Sequence, residues 1–355
     1  MNKNVAIIGA GACGLMLSTI LTKNGIKHTI FNTGKIGNKI LASGNGRCNI
    51  SNYNVSSDKY HNKNISKIVE AYKKELFSLF TDLKIYTKID DEGRMYPISE
   101  SSLSVLNILL KNSKAKFVDL EVSNIKKENN KYLINDELFD YVVIAIGSPA
   151  GYKNKDSFKL LDNLDLKYKK FMPSLVGFKT SLKIKEISGA RAKVEAKLFN
   201  DNKEVASEIG EVIFKDDGIS GICIMNLSSY YNHIDKKNPY ILLNLADKDY
   251  DDYSSVLNPK LLNYINKNNI NPHKFIIPIT NTYSLEFAQV ANGGILEEEI
   301  NEDLSLKKHK NIFVGGEIID VDGLCGGYNL MFAFTSAIKI SKELLKWFMK
   351  LIILK

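Results

Sequence analysis

Six residues near the start of the chain, Gly9-Ala10-Gly11-Ala12-Cys13-Gly14, place three glycines at the spacing GxGxxG. At that spacing the first glycine makes a tight turn, the second lets backbone approach a pyrophosphate, and the third allows a helix to lie close on a strand. The chemistry on offer is phosphate binding by unpaired N–H groups at a helix N-terminus. Such a motif works only between particular elements, and they are present. Val5-Ala6-Ile7-Ile8 is a short apolar run suited to a parallel strand covered on both faces. A helical stretch runs on to about Leu21, Asn24-Gly25 ends it, and His28-Thr29-Ile30-Phe31 reads as a second strand. Gly9, Gly11 and Gly14, with Ala12 and Cys13 between them, are therefore candidate dinucleotide contacts. One position departs from the pattern. The second strand should end in Asp or Glu, which would accept from the adenosine ribose hydroxyls, and it ends in Asn32. Asparagine keeps hydrogen-bonding capacity but loses the charge-assisted pair.

Downstream, Gly34 to Asn52 has no apolar periodicity, and its glycines, Asn and Ser predict a wrapping loop. Arg47 stands out because only three of the 48 basic residues are Arg. Against that background a planar guanidinium fork suits a pyrophosphate. Cys48 beside it reads as a packed thiol. Arg94 lies in a Gly- and Pro-bounded loop, Asp91 to Ser99. It is a candidate for holding an anion or carbonyl, with a surface turn and one salt bridge as the alternative. Ser101–Lys111 predicts a helix with Leu103, Leu106, Leu109 and Leu110 on one face, capped by Ser99 or Ser101. Lys116 to Tyr132 reads as a hairpin or meander, and Tyr141 to Ile146 as a further buried strand ending in Gly147.

From about Met172 alternation dominates, as in Ala192-Lys193-Val194-Glu195-Ala196-Lys197-Leu198-Phe199 and Ile209 to Phe214, which predicts a β-rich, barrel- or sandwich-like insertion. A weak helix is expected near Ser254–Lys267. Near the C-terminus, Asn311-Ile312-Phe313-Val314 leads into Gly315-Gly316-Glu317-Ile318-Ile319-Asp320. A buried strand running into glycines and an acidic pair is suited to approach the same bound dinucleotide. Gly316, Glu317 and Asp320 are accordingly candidates. Then come Gly323-Leu324-Cys325-Gly326-Gly327-Tyr328-Asn329 and a long helix to about Lys350, whose last apolar residues (Leu344, Leu345, Trp347, Phe348, Leu351, Ile352) are expected to pack.

Three segments together, the glycine motif, GxK…SGxGRCNxxN from Gly37 to Asn52, and GGEIIDVDGLCGGYNL from Gly315 to Leu330, resemble the YhiN-like or BaiN-like family of FAD-binding oxidoreductases. The resemblance covers nearly the whole chain, strongly at both ends and weakly in the middle. It implies FAD, with the isoalloxazine near Ser43–Asn49, so that Lys39, Ser43, Gly44, Gly46, Arg47, Cys48 and Asn49 become cofactor candidates. It also implies that Gly326, Gly327 and Tyr328, with Asn329, lie by the flavin at the start of the last helix, where a partial positive charge favours the reduced cofactor. Family members reduce carbon–carbon double bonds or oxidise small amines. Members commonly carry Thr-His before the GISG turn and Pro after it. Here Lys215-Asp216 and Ile222 occupy those places around Gly218-Ile219-Ser220-Gly221, so no member's particular reaction transfers directly.

The 355 residues, 44% hydrophobic and 25% charged, exclude a disordered or low-complexity chain. The expected architecture is α/β: a three-layer FAD/NAD(P)-binding Rossmann-like domain in two pieces, 1–165 and 285–355, with the β-rich substrate or cap domain at 166–284. Four scattered Cys point to free thiols in a reducing cytoplasm, and no stretch is long enough for a membrane span. A formal charge of +8, carried by Lys and mixed with acids, argues against a nucleic-acid partner. Tyr230, Tyr231 and Tyr240 beside Lys236-Lys237 lack the context of an RNA-binding module. The five His show no metal spacing, and no metal is expected. No second GxGxxG exists, so NADH or NADPH would dock only transiently as electron donor. The reading that results is NAD(P)H-linked reduction of a small or flat organic substrate at FAD, by a monomer or homodimer. Tyr328 and Arg94 are the catalytic candidates. The alternative is a flavoprotein with a structural, sensory or RNA-associated role and no efficient turnover.

Overall fold

The computed structural model describes residues 4–153 and 158–353, with side chains as far as Trp347. It resolves into two compact units. One comprises Met1–Pro149, Asn154–Phe171 and Gly293–Lys355, and the other Ala150–Lys153 with Met172–Asn292.

The first unit is built on a five-stranded parallel sheet. Its order is Ile312–Val314, Tyr141–Ile144, Val5–Ile8, His28–Asn32 and Lys116–Asp119. The central strands are apolar throughout because both faces are covered. On one face lie the helix Ala12–Lys23 and the C-terminal helix Tyr328–Ile353, which pack on each other. Elsewhere the three-stranded meander Lys126–Glu128, Lys131–Ile134 and Glu137–Phe139 contributes Phe139, which meets Phe31 of the second strand edge to face at 5.7 Å. The strand order reverses beside Val5–Ile8, and the carboxyl ends of strands at such a switch point are where this class of sheet binds ligands.

Three elements differ from the sequence reading. Lys116–Asp119 joins the parallel sheet as its edge strand instead of the meander; charged, exposed residues suit an edge. Lys63–Asp82, given no element by the sequence reading, is a 20-residue helix burying Ile65, Val69, Leu76 and Phe80, with Phe80 edge-on to Phe334 of the C-terminal helix at 5.8 Å. The glycine-rich stretch expected as a loop contains a short helix, Asn38–Ala42, and a two-residue strand, Ser51–Asn52. The helix Ser102–Lys111 forms with Ser101 as its N-cap residue and no side-chain cap bond; Leu106 and Leu109 are buried, but Leu103 is 54% exposed and does not share their face. The side chains of Phe348, Leu351 and Ile352, expected to pack, lie outside the described residues.

The second unit is a closed six-stranded antiparallel barrel. Its strands, in order around the barrel, are Phe178–Thr180, Gly218–Ser220, Lys203–Phe214, Arg191–Asn200, Tyr240–Asn244 and Phe275–Thr282. Inward positions of the alternating strands (Val194, Ala196, Leu198, Val212, Phe214) fill the core with Phe178 and Phe275. Two helices, Ile222–Tyr231 and Pro259–Lys267, pack their buried faces onto it. The expected β-rich insertion is thus a barrel, and closure leaves no unpaired edge.

Candidate functional site

The GxGxxG turn follows the first strand, and its three glycines meet different surroundings. A Cβ at Gly9 (φ +108°) would lie 2.4 Å from the Ala145 carbonyl, and one at Gly14 would lie 2.0 Å from the Gly9 carbonyl. Those two positions hold helix and strands together. A Cβ at Gly11 would meet no atom within 4 Å. Gly11 is also the N-cap of Ala12–Lys23 and gives it no side-chain cap bond. The helix start therefore faces open space with its N–H dipoles available, which fits a phosphate. Ala12 contributes backbone at this helix start. The Cys13 side chain points away, into the protein: burial raises its pKa to about 12, opposed by a hydrogen bond with Ser336, and it packs under Gly315 and Gly316. Only the Cys13 backbone is positioned for a ligand.

Asn32 acts on this turn directly. Its Oδ1 accepts from the Ala10 N–H at 2.9 Å, while its Nδ2 donates to the carbonyls of Thr33 and Gly34 at 3.1 and 3.3 Å. The Ala10 carbonyl in turn accepts from Gly37 N–H at 3.0 Å, which fastens the short helix Asn38–Ala42 to the glycine turn. Lys39 on that helix pairs with Glu317 and donates to Ser148 Oγ at 2.8 Å. This links the Asn38–Ala42 helix to the ends of the two strands on the far side of the switch point. Gly46 (φ +84°) and Gly147 (φ +68°) resemble Gly11 in facing space free of protein within 4 Å.

Ser43 donates to the Ile40 carbonyl at 2.7 Å, and Gly44 (φ +57°) lies against the Asn49 backbone and Tyr96. Arg47 is half exposed, stacks over the Tyr96 ring at 5.0 Å and stands 4.0 Å from Glu100. Cys48 is fully buried in left-handed backbone (φ 63°), and burial raises its thiol pKa to about 11 despite a hydrogen bond from Ser43. It is a packed, protonated thiol. With its amide turned to satisfy its neighbours, Asn49 donates to Ser51 O (2.9 Å) and Met95 O (3.3 Å) and accepts from Gly327 N–H at 3.0 Å.

That contact joins the N-terminal segment to the loop before the last helix. Asn52 Nδ2 donates to Gly326 O at 3.0 Å, and Tyr60 Oη donates to Tyr328 O at 2.7 Å. Asn329 closes the loop on itself, accepting from Gly323 N–H and donating to Gly323 O, both at 2.8 Å. Gly316 N–H donates to Ser336 Oγ at 3.0 Å, and Asp320 Oδ1 accepts from Gly293 N–H at 2.9 Å. Tyr328 is buried with its pKa raised, first by desolvation and then by Glu92. Arg94 is clasped within its own turn by Asp90 (2.7 Å) and Glu92 (2.9 Å). Burial opposes its charge, but Asp90, Tyr96 and Glu92 outweigh that and hold its pKa above the ordinary value.

The structure thus brings the sequence candidates of both chain ends to one side of one sheet. It adds Ser148, Tyr60, Asn52 and Ser336, which the sequence reading did not single out. Asn52 lies inside the quoted motif and could have been found there; Tyr60 carries no sequence signal, since its role depends on a contact 268 residues away.

The fold is the general architecture that diverse FAD-binding oxidoreductases share. A solved flavocytochrome c3 fumarate reductase in its open conformation superposes with a TM-score of 0.50 over 96% of this chain and 78% of its own, at 11% identity. Residues 3–343 match the HI0933-like protein Rossmann domain, and the chain belongs to that family. A 3-dehydro-bile acid delta(4,6)-reductase of Clostridium scindens is 25% identical, the match covering 95% of this chain and 97% of the relative. A ribosomal RNA dihydrouridine synthase of Haemophilus influenzae is 23% identical over 93% and 96%, and one of Escherichia coli 23% over 96% and 97%.

These last two relatives correct the expectation drawn from composition. Modest Lys-led charge without an RNA-binding module does not argue against nucleic acid, because full-length relatives are named for action on RNA. An enzyme can present RNA to its own active site without a dedicated module. Two of the tyrosines considered earlier are engaged by neighbouring rings. Tyr231 is buried edge-on against Phe178 at 5.2 Å, and Tyr240 stacks on Phe199 at 5.0 Å. No helix among the described residues is long and apolar enough to cross a membrane.

Proposed function

We propose that this protein is an FAD-dependent reductase that saturates a carbon–carbon double bond conjugated to a carbonyl in a flat ring, with NADH or NADPH as transient donor, and that it falls with the YhiN-like/BaiN-like members of its family. The observation carrying this reading is chemical. The relatives named for a bile acid and for ribosomal RNA match this chain along almost its whole length. Their named substrates differ greatly in size, yet a dienone and a uracil ring both offer an alkene conjugated to a carbonyl. FAD, when bound, supplies hydride to such an alkene.

The chain's own part is positioning and electrostatics. Gly11 and the start of Ala12–Lys23 receive the pyrophosphate, with Asn32 holding the turn in shape. Lys39, Glu317 and Ser148 form a polar group suited to the ribityl hydroxyls. The start of Tyr328–Ile353 presents a positive dipole end that favours negative charge developing beside it. Tyr328 keeps its proton at neutral pH and is the side chain we assign as proton donor, through Oη. Arg94 shapes the Asp90–Arg94 turn rather than meeting substrate.

The test is anaerobic reduction of the purified, FAD-loaded protein by NADH and by NADPH, followed by a conjugated cyclic enone or uridine-containing RNA. Reoxidation by either with formation of the saturated ring is expected. Flavin that reduces but is reoxidised by neither compound removes this reading.

A further inference from the structure

The parallel pairing of the second strand with the sheet's edge strand puts Asn32 in register with Asp119. Residues in register on adjacent strands project to the same face. Both stand at the carboxyl end of the sheet, where a dinucleotide fold holds the adenosine ribose. The Asn32 side chain is committed to its own loop and to Ala10 on all three of its short contacts. Asp119 is exposed, and its carboxylate makes no hydrogen bond or ion pair with any described residue.

We propose that the acidic acceptor for the adenosine ribose hydroxyls has moved one strand outward, from the end of the second strand to Asp119, leaving Asn32 to support the glycine turn. The two roles that one carboxylate can combine, capping the turn and accepting from the ribose, are here divided between neighbours in register. An amide suffices for the first because the donor is a backbone N–H. The second keeps its charge, which strengthens hydrogen bonds from both hydroxyls. The inference rests on the FAD reading above and deepens it.

The experiment is titration of deflavinated protein with FAD, with an FAD analogue carrying 2′-deoxyadenosine, and with FMN, followed by flavin fluorescence. Wild type should bind FAD and discriminate against the deoxy analogue. Asp119→Asn should weaken FAD about tenfold, the scale of one charged hydrogen bond. It should lose most of the discrimination and leave FMN binding unchanged. Adding Asn32→Asp to that variant should recover the loss, since it restores a carboxylate at the usual strand end. Unaltered thermal unfolding of the apo-variants would separate lost contact from lost fold. Asp119→Asn binding FAD within about twofold of wild type, with discrimination intact, would overturn the assignment. Wild type that binds no FAD would instead remove the parent reading, and this inference with it.

Discussion

At Gly11 an added Cβ would meet no atom within 4 Å, whereas at Gly327, in the loop before the last helix, it would lie 2.3 Å from the Ser51 carbonyl. Both glycines belong to motifs at the start of a helix, and in sequence they look alike. Gly11 has ordinary backbone (φ −88°) and leaves room; Gly327 has φ +91° and is wedged against Ser51 and Asn49. A glycine that abuts protein serves the fold, and one that abuts space is free to serve a ligand. The first glycine turn contains both kinds, with Gly9 and Gly14 as its packing members.

Three substitutions test this contrast. Gly14→Ala drives a Cβ against a backbone carbonyl that cannot give way, and should cost about 3 kcal/mol or more. Trp347, the chain's one tryptophan, sits in the C-terminal helix, so its fluorescence during urea unfolding reports this unit. Gly327→Ala combines a clash with a left-handed backbone and should cost about 2 kcal/mol by the same readout. Gly11→Ala should leave stability within about 0.5 kcal/mol yet weaken FAD about tenfold or more, as its Cβ enters the ligand's space. If Gly11→Ala unfolds the protein as Gly14→Ala does, the distinction fails.

The smallest effect concerns pH and lies away from the glycines. His28, buried at the start of the second strand, has its pKa lowered from 6.5 by desolvation, partly offset by the Ile26 carbonyl. Its Nε2 meets Ser18 Oγ at 2.7 Å. The unfolded chain takes up the proton first as pH falls below 6.5, so stability declines from there until the folded-state pKa is passed. The slope for one proton is at most about 1.4 kcal/mol per pH unit. His28→Gln should flatten it; an unchanged profile would assign acid sensitivity to other groups.

Much of the first unit was legible because its signals are local. An apolar run, three glycines and an apolar helix within 20 residues admit few other arrangements, and the alternation of 192–199 and 209–214 reads directly as barrel strands. The long helix Lys63–Asp82 is hard to read from sequence because its buried stripe is sparse, four large apolar side chains among lysines and glutamates. Lys116–Asp119 does not announce itself as a sheet strand, because an edge strand exposed along most of its length lacks the apolar run of its neighbours. At the site, Gly9, Gly11 and Gly14 could be named from spacing, but nothing in spacing says which of them faces a ligand.

A dinucleotide fold interrupted by a β-rich insertion is written in neighbouring residues, since periodicity and glycine spacing are local properties. The assembled fold is what brings Asn49 to Gly327, pairs Lys39 with Glu317 and sets Asp119 in register with Asn32. Each of these joins residues tens to hundreds of positions apart. Such contacts are set by strand order and register, because a chain's local preferences carry no record of which distant backbone will close against it.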